Sequence, residues 1–243
     1  MHRLLVDAVT LADDFPVLAP EQARHLKVLR PEDGERIELF DGQGRSRVYA
    51  FDASVRRLVA PAGSVAAEVP RPAPLTLFAC VTKGSRWDWT VEKVTELGVT
   101  RIVPVISART IVRLPMAERA AKRERWQRIA EDAARQSDAK WLPEILPATD
   151  FVDSLALVSE TDCFVGALVT PPARPLAEAM RELHAGKGRP VAVFVGPEGD
   201  FTPEELASLM KVATPTSFGP TVLRAETAAV FAVSVLKGLT DRC

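Results

Sequence analysis

Four short apolar runs without polar alternation constrain this chain most: residues 75–81, Arg101–Ile106, residues 162–168 and residues 190–195. A strand with one wet face alternates apolar and polar side chains. These runs do not, so each is expected to be buried on both faces, as in a parallel sheet covered by helices. The intervening segments carry helical patterns. Residues 89–97 place Val91, Val94 and Leu97 on one face before Gly98, a common helix terminator. Residues 117–137 read as a long, Arg-rich amphipathic helix and Leu176–His184 as a shorter one. Thr202-Pro203-Glu204-Glu205 is a helix start, with a capping Thr, Pro at the first helical position and Glu at the third. A last helix is predicted from Arg224 or Ala225 to about Lys237. The repeated strand-helix order predicts an α/β fold with a largely parallel sheet.

Residues 1–70 read differently, as a small β-rich unit. Residues 36–54 contain two strand-like runs around Asp41-Gly42-Gln43-Gly44, a good hairpin loop. Residues 57–60 and 64–69 are further short strand candidates. Pro70-Arg71-Pro72-Ala73-Pro74 cannot be helical and is read as a linker. The predicted domains are therefore 1–70 and 74–243. With 47% hydrophobic residues among 243, the chain has enough apolar material for real cores.

No run reaches the length of a membrane span. The opening segment turns acidic after ten residues and lacks a signal-peptide pattern, so a cytoplasmic location is expected. Cys80, Cys163 and Cys243 are far apart, as are His2, His25 and His184, and no metal-ligand spacing links them. The first two cysteines fall in predicted buried strands, where packing is the expected role. The net charge of −1 conceals an uneven distribution. Residues 81–141 carry 13 Lys/Arg against 8 Asp/Glu, and residues 142–243 carry 8 against 13. The basic middle can hold phosphates, although composition by itself favours an ordinary solvated helix.

Two segments carry the chemistry. Residues 191–201 read VAVFVGPEGDF and residues 217–229 read SFGPTVLRAETAA. Each runs through a Gly/Pro turn into a helix. Two such turns at the ends of neighbouring parallel strands would surround a small ligand with main-chain groups, at the edge where open α/β sheets bind ligands. Glycine there lets backbone and ligand approach closely. There is no phosphate loop, since Gly186-Lys187-Gly188 lacks the spacing, and no dinucleotide fingerprint or nucleophile elbow.

These residues resemble a known family. Gly196-Pro197-Glu198-Gly199, followed by Phe218-Gly219-Pro220 and Val222-Leu223-Arg224-Ala225-Glu226-Thr227-Ala228, is similar to the signature of the RsmE-type 16S rRNA (uracil-N3) methyltransferases of the SPOUT superfamily. The resemblance continues in His25-Leu26, Val28-Leu29-Arg30, Leu39-Phe40-Asp41-Gly42, Lys83, Glu92-Lys93, Glu96-Leu97-Gly98-Val99, Trp126, Gln136-Ser137 and Pro143-Glu144-Ile145.

The family resemblance implies an N-terminal PUA-like β-barrel that binds RNA. The second domain would be a SPOUT α/β domain whose C-terminal part forms a trefoil knot, with a homodimer packed around it. It implies S-adenosylmethionine held by Leu168, Val169, Thr170, Val195, Gly196, Pro197, Glu198, Gly199, Phe218, Gly219, Val222, Leu223 and Arg224. The implied reaction is methyl transfer to uridine N3 in 16S rRNA of the small ribosomal subunit. Arg224 would stabilise charge on the base, while Glu226, Glu198 and water are the candidate proton acceptors. For Glu226 the favoured reading is a first-turn carboxylate stabilised by the helix dipole. Arg24, Lys27, Arg30, Lys83, Arg109, Arg113 and Gln136 would contact RNA, and no metal is implied. Rival readings are a same-fold paralogue acting on another RNA site and a non-catalytic RNA-binding assembly factor. Trp87, Trp89, Trp126 and Trp141 can stack on bases, but packing is the commoner fate of tryptophan. The chain departs from the family pattern at Ala108, Asp138, Ala139, Asp200 and Thr221, polar positions expected to face RNA or the methyl acceptor.

Overall fold

The computed structural model describes residues 1–184 and 189–240, with the His184 side chain excepted. Gly186-Lys187-Gly188 and Cys243 lie outside the described residues. The chain divides into two compact units. The first comprises residues 1–71 and 134–142, the second 72–133 and 143–243.

In the first unit β1 (His2–Leu5), α1 (Ala8–Ala12) and α2 (Pro20–Leu29) precede β2 (Arg36–Phe40), β3 (Arg45–Asp52), β4 (Arg57–Val59) and β5 (Ala67–Glu68). The sheet order is β1-β2-β3-β4, with β5 also on β3. The expected hairpin is present, β2 and β3 pairing antiparallel from Arg36↔Ala50 to Phe40↔Ser46. Its loop needs glycine twice over. Gly44 has φ +93°, and a Cβ there would lie 2.6 Å from the Trp141 indole. Sequence reading gave no helix at α2, where Leu26 is the buried apolar residue and the periodic signal is correspondingly faint. Leu4, Ile37, Leu39, Tyr49 and Leu58 form the core with Leu11 and Leu26.

A buried ionic cluster ties residues 134–142 into this unit. Arg3 donates to Glu38 (2.7 Å), to the Ala134 carbonyl (2.7 Å) and to the Ala139 carbonyl (3.1 Å). Lys140 donates to the other Glu38 oxygen. Burial opposes ionisation of Glu38, but hydrogen bonds from Lys140, Ser46 and Arg3 outweigh it and hold its carboxyl below the ordinary value.

The second unit contains β6 (Leu75–Cys80), α3 (Ser85–Glu96), β7 (Arg101–Ile106), α4 (Met116–Gln136, whose last turn is counted with the first unit), β8 (Glu144–Ile145), β9 (Thr149–Asp150) and α5 (Phe151–Leu155). It continues with β10 (Asp162–Gly166), α6 (Leu176–His184), β11 (Val191–Val195), α7 (Pro203–Leu209), β12 (Thr214–Thr216) and α8 (Ala225–Thr240). The sheet is parallel, in the order β12-β10-β11-β6-β7-β8, with β9 also on β7.

Side chains from these strands feed two cores, which is why polar alternation is missing from the sequence. Leu75, Leu77, Val191, Val193 and Val195 pack with residues of α3, α6 and α8, including Val91, Val94, Met180, Val233 and Leu236. Phe78, Cys80, Ala192 and Phe194 belong to the opposite core, where the Phe78 and Phe194 rings stack with centroids 4.3 Å apart. Burial pushes the Cys80 and Cys163 thiols up to about 12, so both stay protonated near neutrality and serve packing.

Helix starts follow local chemistry. The predicted capping box at α7 is complete, with Thr202 and Glu205 exchanging side-chain and backbone bonds. Helix α3 begins at Ser85, four residues earlier than expected, and its first turn already places Trp87 on the buried face with Val91 and Val94.

Candidate functional site

The two Gly/Pro turns meet, and a third segment joins them. A cavity of about 300 Å³ is lined by Gly166, Ala167 and Leu168 at the end of β10, by Val195, Gly196, Pro197, Glu198 and Asp200 at the end of β11, and by residues 217–219, 221–225 and 228 from the β12–α8 loop and the start of α8. Its position follows from the sheet order. β10 lies between β11 and β12, so the carboxyl ends of these three parallel strands deliver their loops to one place.

Small residues permit this convergence. A Cβ on Gly166 would sit 2.4 Å from a Phe218 ring carbon, and one on Gly196 would lie 3.1 Å from Asp200 Oδ1. Gly219 has φ +122° and open space where a side chain would be, leaving backbone exposed at the rim. Phe218 itself is wedged against Phe231 of α8, with centroids 5.8 Å apart.

Of the residues expected to hold a cofactor, Leu168, Val195, Gly196, Pro197, Glu198, Phe218, Gly219, Val222, Leu223 and Arg224 line the cavity, whereas Val169, Thr170 and Gly199 do not. β10 ends at Gly166, so residues 169 and 170 lie further along the loop than a strand through Leu168 would have put them. Arg224 is exposed at the cavity wall. Glu226 lies just beyond that wall in the first turn of α8, and its Oε2 is buried without a hydrogen-bond partner. Glu198 accepts from Arg86 at 3.1 Å.

Sequence reading passed over Gly166, Ala167, Ser217, Ala225 and Ala228 as site residues. The glycine could have been found by asking which strand end completes a site built from two others.

Among the expected RNA contacts, Arg109 braces the site, donating to the Gly199 carbonyl at 2.8 Å and the Phe201 carbonyl at 3.3 Å. Arg113 donates to the Ala108 carbonyl at 3.4 Å, and Lys83 is exposed in the turn before α3. In the first unit Arg24 and Lys27 are exposed on α2, with Arg30 at its C-cap. Lys27 and Arg30 border a groove also lined by Phe15, Val17, Arg56 and Arg57. Gln136 is exposed at the end of α4.

Two of the departures from the family pattern have a backbone reason. Asp200 has φ +59° and Asp138 has φ +62°. Left-handed backbone suits glycine, and aspartate is among the few other residues that tolerate it. Asp200 Oδ1 accepts from the Phe201 N–H at 2.8 Å, and Asp138 pairs with Arg3 at 3.1 Å. Ala108 presents only its backbone, donating its N–H to Glu205 at 2.8 Å. Trp87 and Trp126 are buried and pack edge to face at 5.5 Å, while Trp89 is 41% exposed. Trp141 donates its indole N–H to the Val69 carbonyl at 3.1 Å.

A parallel α/β sheet with a glycine-lined cavity at its carboxyl edge defines an α/β domain with a small-molecule-sized cavity, and residues 69–237 match the RNA methyltransferase domain family, to which the chain belongs. Within that family it is similar to the ribosomal RNA small subunit methyltransferases E. It is 30% identical to that of Bacillus subtilis over 70% of this chain and 68% of the relative. It is 31% identical to that of Synechocystis over 70% of this chain and 55% of the relative. The solved structure of ribosomal RNA small subunit methyltransferase E from Neisseria gonorrhoeae, bound to S-adenosyl methionine, superposes with a TM-score of 0.82 at 28% identity, covering 100% of both chains.

Proposed function

We propose that this protein transfers the methyl group of S-adenosylmethionine to N3 of a uridine in the 16S rRNA of the small ribosomal subunit. The observation that carries this reading is the convergence of the three strand-end loops on one glycine-lined cavity. The residues fit the cofactor. About 300 Å³ is at the lower end of the range for small-molecule sites, and Leu168, Val222 and Leu223 offer apolar flanks beside open main chain. Residues 195–198 and 200, with residues 217–219 and 221–225, hold the cofactor, and Arg109 braces the turn after β11 through two carbonyls.

Bound there, S-adenosylmethionine supplies an electrophilic methyl on a positively charged sulfur. Uracil N3–H is a weak acid, so the protein must remove that proton and disperse negative charge over the two carbonyl oxygens. Arg224 meets the second need by the electrostatic logic of an oxyanion site. Three acceptors compete for the proton: Glu198 in the wall, Glu226 behind it and water. Glu198 is engaged by Arg86, whereas Glu226 has an oxygen without a partner. N3 lies on the pairing edge of the base, so the target uridine must be unpaired or turned outward.

The C-terminal segment forms a trefoil knot in this reading. Support comes from Ser217, which exchanges backbone bonds with Arg174 and Leu176, and from α8, which leaves the edge strand β12 to pack on the central strands β6 and β11. Exposed apolar side chains at or next to the cavity wall, Leu168, Val222 and Phe231, suit a homodimer packed around the knot. Residues 1–70 form a PUA-like barrel that binds RNA, and the groove with Phe15, Lys27, Arg30, Arg56 and Arg57 combines a stacking surface with cations. A cytoplasmic location accords with a ribosomal substrate, and no described helix is long and apolar enough to cross a membrane.

The test is labelled methyl transfer to small ribosomal subunits lacking the modification, followed by nucleoside analysis. The expected product is 3-methyluridine. A different methylated nucleoside refutes the choice of base, and cofactor binding without transfer refutes catalysis on this substrate.

A further inference from the structure

A second cavity, of about 250 Å³, opens beyond the carboxyl end of β6, the strand next to β11. Its walls come from residues 81, 82, 84, 85, 87 and 88, residues 112 and 114, and residues 122, 125 and 126 of α4. Val81, Val112, Leu114 and Trp126 make the apolar part, and the polar remainder is almost entirely of one kind.

Thr82 and Trp87 line the cavity at 3% and 2% exposure, and Thr82 Oγ1 and Trp87 Nε1 are buried atoms with no hydrogen-bond partner. Leaving such groups unpaired is costly, so each such pair calls for a ligand or a water. The indole nitrogen can only donate and a hydroxyl can donate, so both suit an acceptor. The same cavity contains the N-terminus of α3, a twelve-residue helix whose N-cap is Gly84 and which has no side-chain capping bond. Its first-turn N–H groups therefore point outward unsatisfied, with the positive end of the helix dipole behind them. Lys122 and Arg125 stand at the wall; Arg125 is paired with Asp88, and no described carboxylate pairs with Lys122. The surplus is one positive charge.

From this inventory we infer that the cavity is an anion subsite that takes a phosphate of the RNA backbone, a reading that rests on the proposed RNA substrate. Apart from Asp88, already engaged, every polar side chain that bears on the cavity can donate or is cationic, which matches a phosphodiester oxygen and disfavours a cationic ligand. Arg86, in the first turn of α3, pairs with Glu198 in the wall of the cofactor cavity, so the two sites are one ion pair apart. A phosphate fixed here would position the strand near the methyl-transfer site.

The Trp87 indole N–H is the reporter, read in an ¹⁵N spectrum of the full-length protein and assigned by its loss in Trp87→Phe. Inorganic phosphate is expected to shift this resonance, with a midpoint about tenfold higher in Lys122→Gln and in the near-isosteric Thr82→Val. A single-stranded RNA oligonucleotide should shift the same resonance, and uncharged methylphosphonate linkages should abolish that shift. An unmoved Trp87 signal, or midpoints unchanged in both variants, overturns the subsite and indicates that water satisfies these groups. A response to free phosphate with none to RNA overturns the assignment to the RNA backbone. Binding of S-adenosylmethionine, measured on the same samples, is expected to remain at the wild-type level. Its absence from the wild-type protein would refute the proposed function instead.

Discussion

Gly166→Ala tests whether the cavity depends on one missing methyl. A Cβ at this position lies 2.4, 2.6 and 3.1 Å from three atoms of the Phe218 ring. Ordinary carbon–carbon contacts lie at about 3.5–4.0 Å, so the ring must retreat by roughly 1 Å. Phe231 stands behind it, and Gly166 is itself held in register with Thr216 of β12, so neither partner yields freely. Overpacking of this kind costs about 1–3 kcal/mol. For a chain of this size each kcal/mol lowers the melting temperature by about 2–4 °C. The expected fall is therefore about 2–12 °C. Phe218 also forms part of the cavity wall, so its displacement is expected to weaken S-adenosylmethionine binding about tenfold, equivalent to about 1.4 kcal/mol. Thermal unfolding and titration calorimetry read the two effects separately. A variant with wild-type melting temperature and wild-type affinity would refute the argument that close packing of Gly166 against Phe218 shapes the site. Gly238→Ala is the control, since nothing lies within 4 Å of that helical glycine and the change should stabilise by about 0.5–1 kcal/mol.

Arg224→Ala is expected to lower the methyl-transfer rate about 100-fold, as removal of a charge-stabilising donor does, while cofactor affinity changes by less than about threefold; equal losses in both would make Arg224 a binding residue only. Asp200→Gly should leave stability within about 0.5 kcal/mol of wild type, because relief of the left-handed backbone offsets the lost bond to Phe201, whereas Asp200→Val should cost about 2 kcal/mol in urea unfolding. The lowered Glu38 carboxyl contributes stability that is present above the unfolded carboxylate range and lost as pH falls through its folded value. Glu38→Gln should therefore flatten the decline in unfolding free energy below about pH 4.5 and, at pH 7, cost about 3 kcal/mol by leaving Arg3 and Lys140 short of a charge partner. An unchanged acid profile would count against the Arg3–Glu38–Lys140 cluster.

The sequence by itself determined the periodic and the local features. Buried strands at β6, β7, β10 and β11 announce themselves because side chains from both faces enter apolar cores. The capping box at Thr202 and the hairpin glycines at 42 and 44 are equally local, each dictated by a few backbone atoms. The family motif named the two turns that line the cavity.

Only the tertiary structure decided which other segment completes it, because sheet order, and not chain order, sets β10 between β11 and β12. Gly166 is informative only once Phe218 is known to lie against it. Asp138 and Asp200 read in sequence as altered polar contacts, yet their φ values show that backbone conformation is part of what those positions require. Arg109 reaches the Gly199 and Phe201 carbonyls of the turn after β11, because a long side chain takes acceptors that only folding brings near. The unpaired atoms of Thr82 and Trp87 carried no signal in the sequence, since an unpaired polar atom exists only with respect to the neighbours that bury it.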